Sequence, residues 1–248
     1  MDGIANIRFL DYIFKSLEED WKMKFLLCLL FLTVFPFFLW SKSVTVKSPY
    51  APKVRRTAGG EVYLKINLKR QKGETCNPTS MAMILRHFGL FVSSDKLQKA
   101  GKESEAYKNS LYLKKELEKY NMQMIFIPMA KGEERAFACV MRAINCGLPL
   151  QWLVDLLKAP EYDIDRRKKA LLAKQGPVAG HARIVNGYKF NKKTRRVEEL
   201  IFTDPWGLRR QEIKLADTGK MTFGFFLVFP KKLDPAIVRF ILQPVYGK

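Results

Sequence analysis

Hydrophobic and polar positions change period along this chain. From Cys76 to His87 the apolar residues Met81, Ile84 and Leu85, with Phe88 just beyond, fall at i, i+3, i+4 and i+7, which predicts a helix closed by Gly89. Helical spacing recurs at about Asp95–Lys102, Ser110–Lys119 and Glu133–Asn145, and in a basic amphipathic stretch, Asp163–Lys174. Met122–Ile127 and Leu150–Val154 read as strands. After residue 180 the period becomes two. His181–Tyr188 and Val197–Thr203 flank the polar turn Lys189–Arg196, and Gln211–Lys214 and Thr222–Val228 follow. Helices first and antiparallel strands afterwards predict an α+β fold, for which one domain suffices.

One segment stands outside this pattern. Phe25–Trp40 carries no charge over sixteen residues, short of the roughly 20 that a spanning helix uses, and Pro36 interrupts it. With Met23-Lys24 before it and Ser41-Lys42-Ser43 after it, it reads as the core of a signal peptide. The expected organisation is a signal peptide or signal anchor over 1–43 (with Met23 as an alternative start), a linker over 44–60 and the folded domain over 61–248. Export to the periplasm, the cell envelope or the medium follows from that reading.

Composition narrows the function. The chain has 248 residues, 48% of them hydrophobic, which excludes a disordered polymer. Its 44 lysines and arginines face 24 acids, for a net charge of +20, and residues 1–43 are balanced, so the charge belongs to the rest. Runs such as Lys53–Arg56, Lys69–Lys72, Arg166–Lys169 and Lys189–Arg196 favour an anionic partner, an envelope surface among them. Nucleic acid is disfavoured, because no aromatic stacking platform or groove-reading helix accompanies the charge. Four cysteines and two histidines exclude a disulfide-dense scaffold and a zinc cluster rich in such ligands. Cys139 and Cys146 lie seven helical residues apart, about 10.5 Å, too far for a disulfide. They read as small buried hydrophobes, and Cys76 is left alone.

Candidate chemistry gathers on few residues. Cys76 opens a helix, where the dipole is expected to lower a thiol pKa; the plain alternative is a structural cysteine. His87 lies eleven residues further along that helix, about 16 Å away, so a base for Cys76 would be His181, which opens a strand after Gly180. Asp204, in Phe202-Thr-Asp-Pro-Trp-Gly207, ends the neighbouring strand and could orient an imidazole or merely close an Asp-Pro turn. Gln71, five residues before the cysteine, offers a side-chain N–H to an oxyanion, with the Cys76 backbone N–H as second donor.

Taken together, Gln71…Cys76-Asn-Pro-Thr-Ser-Met-Ala-Met-Ile-Leu85, then Gly180-His-Ala-Arg-Ile-Val-Asn-Gly-Tyr188, then Thr203-Asp-Pro-Trp-Gly207 resemble the papain-like cysteine peptidases of the double-glycine leader type, in their stand-alone form without a transporter. The resemblance spans roughly Gln71 to Val228. It implies a papain-like fold, no cofactor or metal, and a peptide or protein substrate. It assigns Cys76 as nucleophile, His181 as base, Asp204 as orienter and Gln71 as oxyanion residue. Two departures stand out. The family usually has glycine after the cysteine where this chain has Asn77, which tolerates positive φ best after glycine, and Gln71 is one residue nearer the cysteine than is common. An exported cysteine peptidase is the leading expectation. A cell-wall peptide amidase or acyltransferase, or a silent binding module for an anionic partner, are the alternatives.

Overall fold

The computed structural model describes residues 54–73, 75–102, 112–159 and 180–247. All belong to one unit, Val46–Lys248. The apolar run and Cys28, residues 44–53 of the linker, and the basic helix expected over Asp163–Lys174 lie outside the described residues. Among the described residues no helix is long and apolar enough to cross a membrane.

The alternating stretch after residue 180 forms the spine of the fold. Strand β5 (Gly180–Phe190) turns into β6 (Val197–Asp204), which turns into β7 (Leu208–Lys214). The first half of β5 also pairs with β4 (Leu150–Asp155), and its second half with β2 (Glu61–Tyr63). Beyond β4 lie β8 (Thr222–Pro230) and then β3 (Met122–Pro128); β1 (Arg55–Arg56) edges β2. Every pairing is antiparallel. Strand β2 approaches β5 closely at Gly187, where a Cβ would stand 2.6 Å from that of Tyr63 and 2.7 Å from the Val62 carbonyl oxygen.

Helices cover both faces of the sheet. On one face Trp152, Val185, Phe202, Phe225 and Leu227 pack against α4 (Glu133–Asn145) and the C-terminal α6 (Pro235–Tyr246). On the other, Met124, Ile184, Phe226 and Val228 pack against α1 (Cys76–His87), α2 (Ser94–Lys102) and α3 (Tyr112–Glu118). A single turn, α5 (Leu215–Thr218), joins β7 to β8. Helix α1 is buried from Pro78 through Leu85, so it is enclosed well beyond the single face that its spacing predicts. Gly89, at φ +82°, closes it, its N–H donating to the Arg86 carbonyl. His87 Nε2 lies 3.0 Å from the Gly147 carbonyl oxygen and ties the end of α1 to the loop before β4.

Three parts of this fold go beyond the sequence pattern. Helix α6 was not foreseen, although Asp234 caps it by accepting from Ala236 N at 2.8 Å and Pro235 follows as its first residue. Strand β1 lies within the segment read as linker. The extended stretch after β2 is stitched to β5 by Asn186: Leu64 N donates to the Asn186 carbonyl and Asn186 Nδ2 to the Leu64 carbonyl, both at 2.7 Å.

Candidate active site

Three segments converge at the start of β5. Helix α1 presents Cys76 as its first residue. Its N-cap residue, Thr75, makes no side-chain cap; its hydroxyl turns back to donate to the Lys72 carbonyl at 2.9 Å. The backbone N–H groups of Ala182, the residue after His181, and of Asn77 and Cys76 in the first turn all favour the thiolate form of Cys76. Pro78 has no N–H to satisfy at this crowded end.

His181 and Asp204 meet beneath the surface. The β5–β6 pairing brings them together across 23 positions of sequence, with His181 Nε2 at 3.1 and 3.0 Å from the two Asp204 carboxylate oxygens. The side chains are 2% and 0% exposed. The carboxylate accepts, so Nε2 carries the hydrogen and Nδ1 the lone pair. Asp204 Oδ1 also accepts from the backbone N–H of Trp206 at 2.8 Å. The Trp206 ring lies over the imidazole, centroid to centroid 4.8 Å, and screens the pair from water. Beside them Arg183 is fully buried, its guanidinium 3.8 Å from the Trp152 ring centroid and 4.1 Å from that of Phe202.

A family model matches residues 63–223, more than half of the chain, and these segments lie within it. The chain belongs to the Peptidase_C39 like family. It is thus a cysteine peptidase, with the mixed helical and curled antiparallel architecture described above. No curated protein matches it significantly in sequence. Among solved structures it is similar to a double-glycine-motif protease from an AMS/PCAT transporter in complex with the leader peptide, at 12% identity over 67% of this chain and 91% of that one, with a TM-score of 0.43. A C39-like peptidase from Bacillus anthracis matches at 16% identity over 68% and 97%, TM-score 0.45. The peptidase domain of Streptococcus ComA, a bifunctional ABC transporter of a quorum-sensing pathway, matches at 15% over 65% and 94%, TM-score 0.40.

Electrostatics in this C39-like site differ from the expectation for the thiol. Burial pushes the Cys76 pKa above its usual value of 9.0, and the backbone donors of Ala182, Asn77 and Cys76 offset that only in part. The nearby Asp204 carboxylate pushes it up further. Helix position alone therefore does not yield the depressed thiol pKa anticipated from sequence, because desolvation opposes the dipole and wins. Burial, and then the Arg183 guanidinium, lower the His181 pKa from 6.5 to about 3, so the imidazole is neutral despite its carboxylate partner. At rest the Cys76 thiol and the His181 imidazole are both neutral rather than an ion pair.

Two further expectations meet the geometry here. Asn77 does not use positive φ: among the described non-glycine residues only Asn121, Arg195 and Arg210 do, and Asn77 is helical. Gln71 is held to the Asp204–Trp206 turn, its backbone N donating to the Pro205 carbonyl at 2.7 Å, while its side-chain Nε2 donates to the Gly73 carbonyl at 2.6 Å. One of its two amide hydrogens thus points back into its own loop. Trp206 and Arg183 received no role from the sequence, although Trp206 stood in the quoted motif and a basic residue inside an apolar strand was itself a signal. Among the described residues no cluster of three or more His, Cys, Asp or Glu side chains could hold a metal ion.

Proposed function

We propose that this chain hydrolyses peptide bonds through Cys76, His181 and Asp204, after export. The observation that carries the reading is the buried His181–Asp204 pair, with Cys76 opening the helix that packs on the strand bearing that histidine. Because thiol and imidazole both rest neutral, the proton moves during attack. Sγ bonds to the peptide carbonyl carbon as its hydrogen passes to His181 Nδ1, and Asp204 steadies the imidazolium that forms. The Cys76 backbone N–H and the second amide hydrogen of Gln71 are the proposed oxyanion donors. His181 then returns the proton to the leaving amine as the C–N bond breaks, and water releases the acyl group from the thioester.

A peptide substrate is supported by the related double-glycine protease, which was crystallised with a leader peptide. Export or membrane anchoring is supported by the apolar run at 25–40, and an anionic envelope surface as partner by the +20 charge. The test is a peptide library incubated with the protein and read by mass spectrometry, with Cys76→Ala and His181→Ala as controls. Cleavage lost in both variants is expected. Cleavage that survives Cys76→Ala overturns the reading; acyl transfer to an amine in place of water moves it to the acyltransferase alternative, and hydrolysis confined to cell-wall peptides moves it to the amidase alternative. In parallel, iodoacetamide is expected to label Cys76 increasingly from pH 6 to 9 and to spare Cys139 and Cys146, which are buried with pKa values raised to about 11.

A further inference from the structure

Gln151 lies in the middle of β4, opposite Ile184 of β5 and Phe226 of β8, and is fully buried. Its side chain points at the first turn of α1. Nε2 lies 3.1 Å from the Asn77 carbonyl oxygen, 2.9 Å from Asn77 Oδ1 and 2.7 Å from Ser80 Oγ. A carbonyl oxygen only accepts, so it settles which end of the carboxamide faces the helix. Ser80 Oγ donates in turn to the same Asn77 carbonyl, at 3.0 Å. At the other end, Gln151 Oε1 is buried without a hydrogen-bond partner. As a packing residue this glutamine is unfavourable, since its buried oxygen gives up water and gains no partner, a loss that an apolar side chain would avoid. What it does supply is a clamp on the turn that carries Cys76.

We propose that Gln151 is a positioning residue for the nucleophile: from the sheet, its carboxamide fixes the Asn77–Ser80 turn and thereby the direction of the Cys76 thiol and first-turn N–H groups. Asn77, where the family usually has glycine, then has a use as an additional acceptor for this clamp. The inference rests on Cys76 being the nucleophile. Loosening the turn removes the Asn77 and Cys76 donors that favour thiolate, so the pKa of the thiol rises further.

The test compares the wild-type protein with Gln151→Met, which keeps the volume and removes the donor. Cleavage of a peptide identified as a substrate should show kcat reduced about tenfold to a hundredfold with KM within about twofold, because Gln151 is buried away from any substrate. Iodoacetamide labelling of Cys76 at pH 7.5 should slow about tenfold, with the whole pH profile displaced upward. Ser80→Ala reaches the same network through a change that a helix tolerates. It should displace the profile the same way by less, and the double variant should resemble Gln151→Met alone. It also serves if Gln151→Met does not fold. A wild-type labelling profile in every variant that folds overturns the inference, whatever happens to urea stability. A wild-type protein that labels at Cys76 but cleaves no peptide overturns the peptidase reading instead, and leaves the labelling test of Gln151 intact.

Discussion

Strand β5 carries charged partners at both ends, in opposite surroundings. At its start His181 and Asp204 are sealed beneath Trp206. At its far end Lys189 faces Glu61 at 3.7 Å and Glu199 at 3.2 Å and bonds to Glu212, while Arg210 reaches Glu61 at 2.8 Å and lies over the Tyr63 ring. Lys189 and Arg210 remain 28% and 39% exposed. The outer cluster ties β2, β5, β6 and β7 together with contacts that water and salt weaken. The inner pair has lost its water, so each missing partner is felt in full and protonation states are set by the surroundings rather than by the residue type. Position along one strand separates a strand fastener from a proposed proton relay.

The widest separation between the two ends should appear in catalysis. His181→Ala is expected to lower kcat/KM by on the order of 10⁵–10⁶, and Asp204→Asn by on the order of 10⁴, since the carboxylate orients while the imidazole moves the proton. Steady-state kinetics on a cleaved peptide measures both, and full activity in Asp204→Asn would reduce the aspartate to a turn residue. Stability comes next. Asp204→Ala strands the His181 and Trp206 N–H groups in a buried site, and should cost about 3 kcal/mol in urea unfolding. A loss below about 1 kcal/mol would mean that water reaches the pair.

Acid provides a gentler probe of the same end. The folded His181 pKa lies near 3, below the unfolded value of 6.5, so the unfolded chain takes up the proton first as pH falls. Its contribution is fully present above about pH 6.5 and is lost toward pH 3, at up to about 1.4 kcal/mol per pH unit. His181→Gln should flatten that part of the stability profile. Equal acid sensitivity in both proteins would contradict a neutral buried imidazole. The smallest effect belongs to the outer end, where Lys189→Met should cost less than about 1 kcal/mol, and less again in high salt. A salt-insensitive loss would show that this cluster is more enclosed than its exposure indicates.

The sequence was informative about one end of this comparison and nearly silent about the energetics of both. The β5–β6 hairpin was legible because a two-residue period flanks a polar turn, and helix α1 because its spacing ends at a glycine. The candidate partners of chemistry could be named from a small inventory of cysteine and histidine. Gln151 was not recognised, since LQWLV was read only as an apolar strand, although a lone polar residue in such a run marks a buried partner. Strand β1 is two arginines, with no apolar pattern to betray pairing that depends on a neighbour at the sheet edge. The thiol pKa was misjudged for a different reason. A helix terminus is visible in sequence, but the desolvation that opposes it depends on segments remote in the chain.

The order in which the site can be assembled follows from its connectivity. His181 and Asp204 are 23 positions apart on adjoining strands, so one hairpin suffices to bring them together. Cys76 arrives from about a hundred residues upstream and meets them only when α1 docks on the finished sheet. Closure over so long a loop is slow and late compared with hairpin formation. A chain emerging from the ribosome therefore carries Cys76 long before His181, and the proposed nucleophile stays uncoupled from its proposed base until synthesis has passed Asp204. Under the proposed triad, latency during synthesis is thus written into the spacing of the residues.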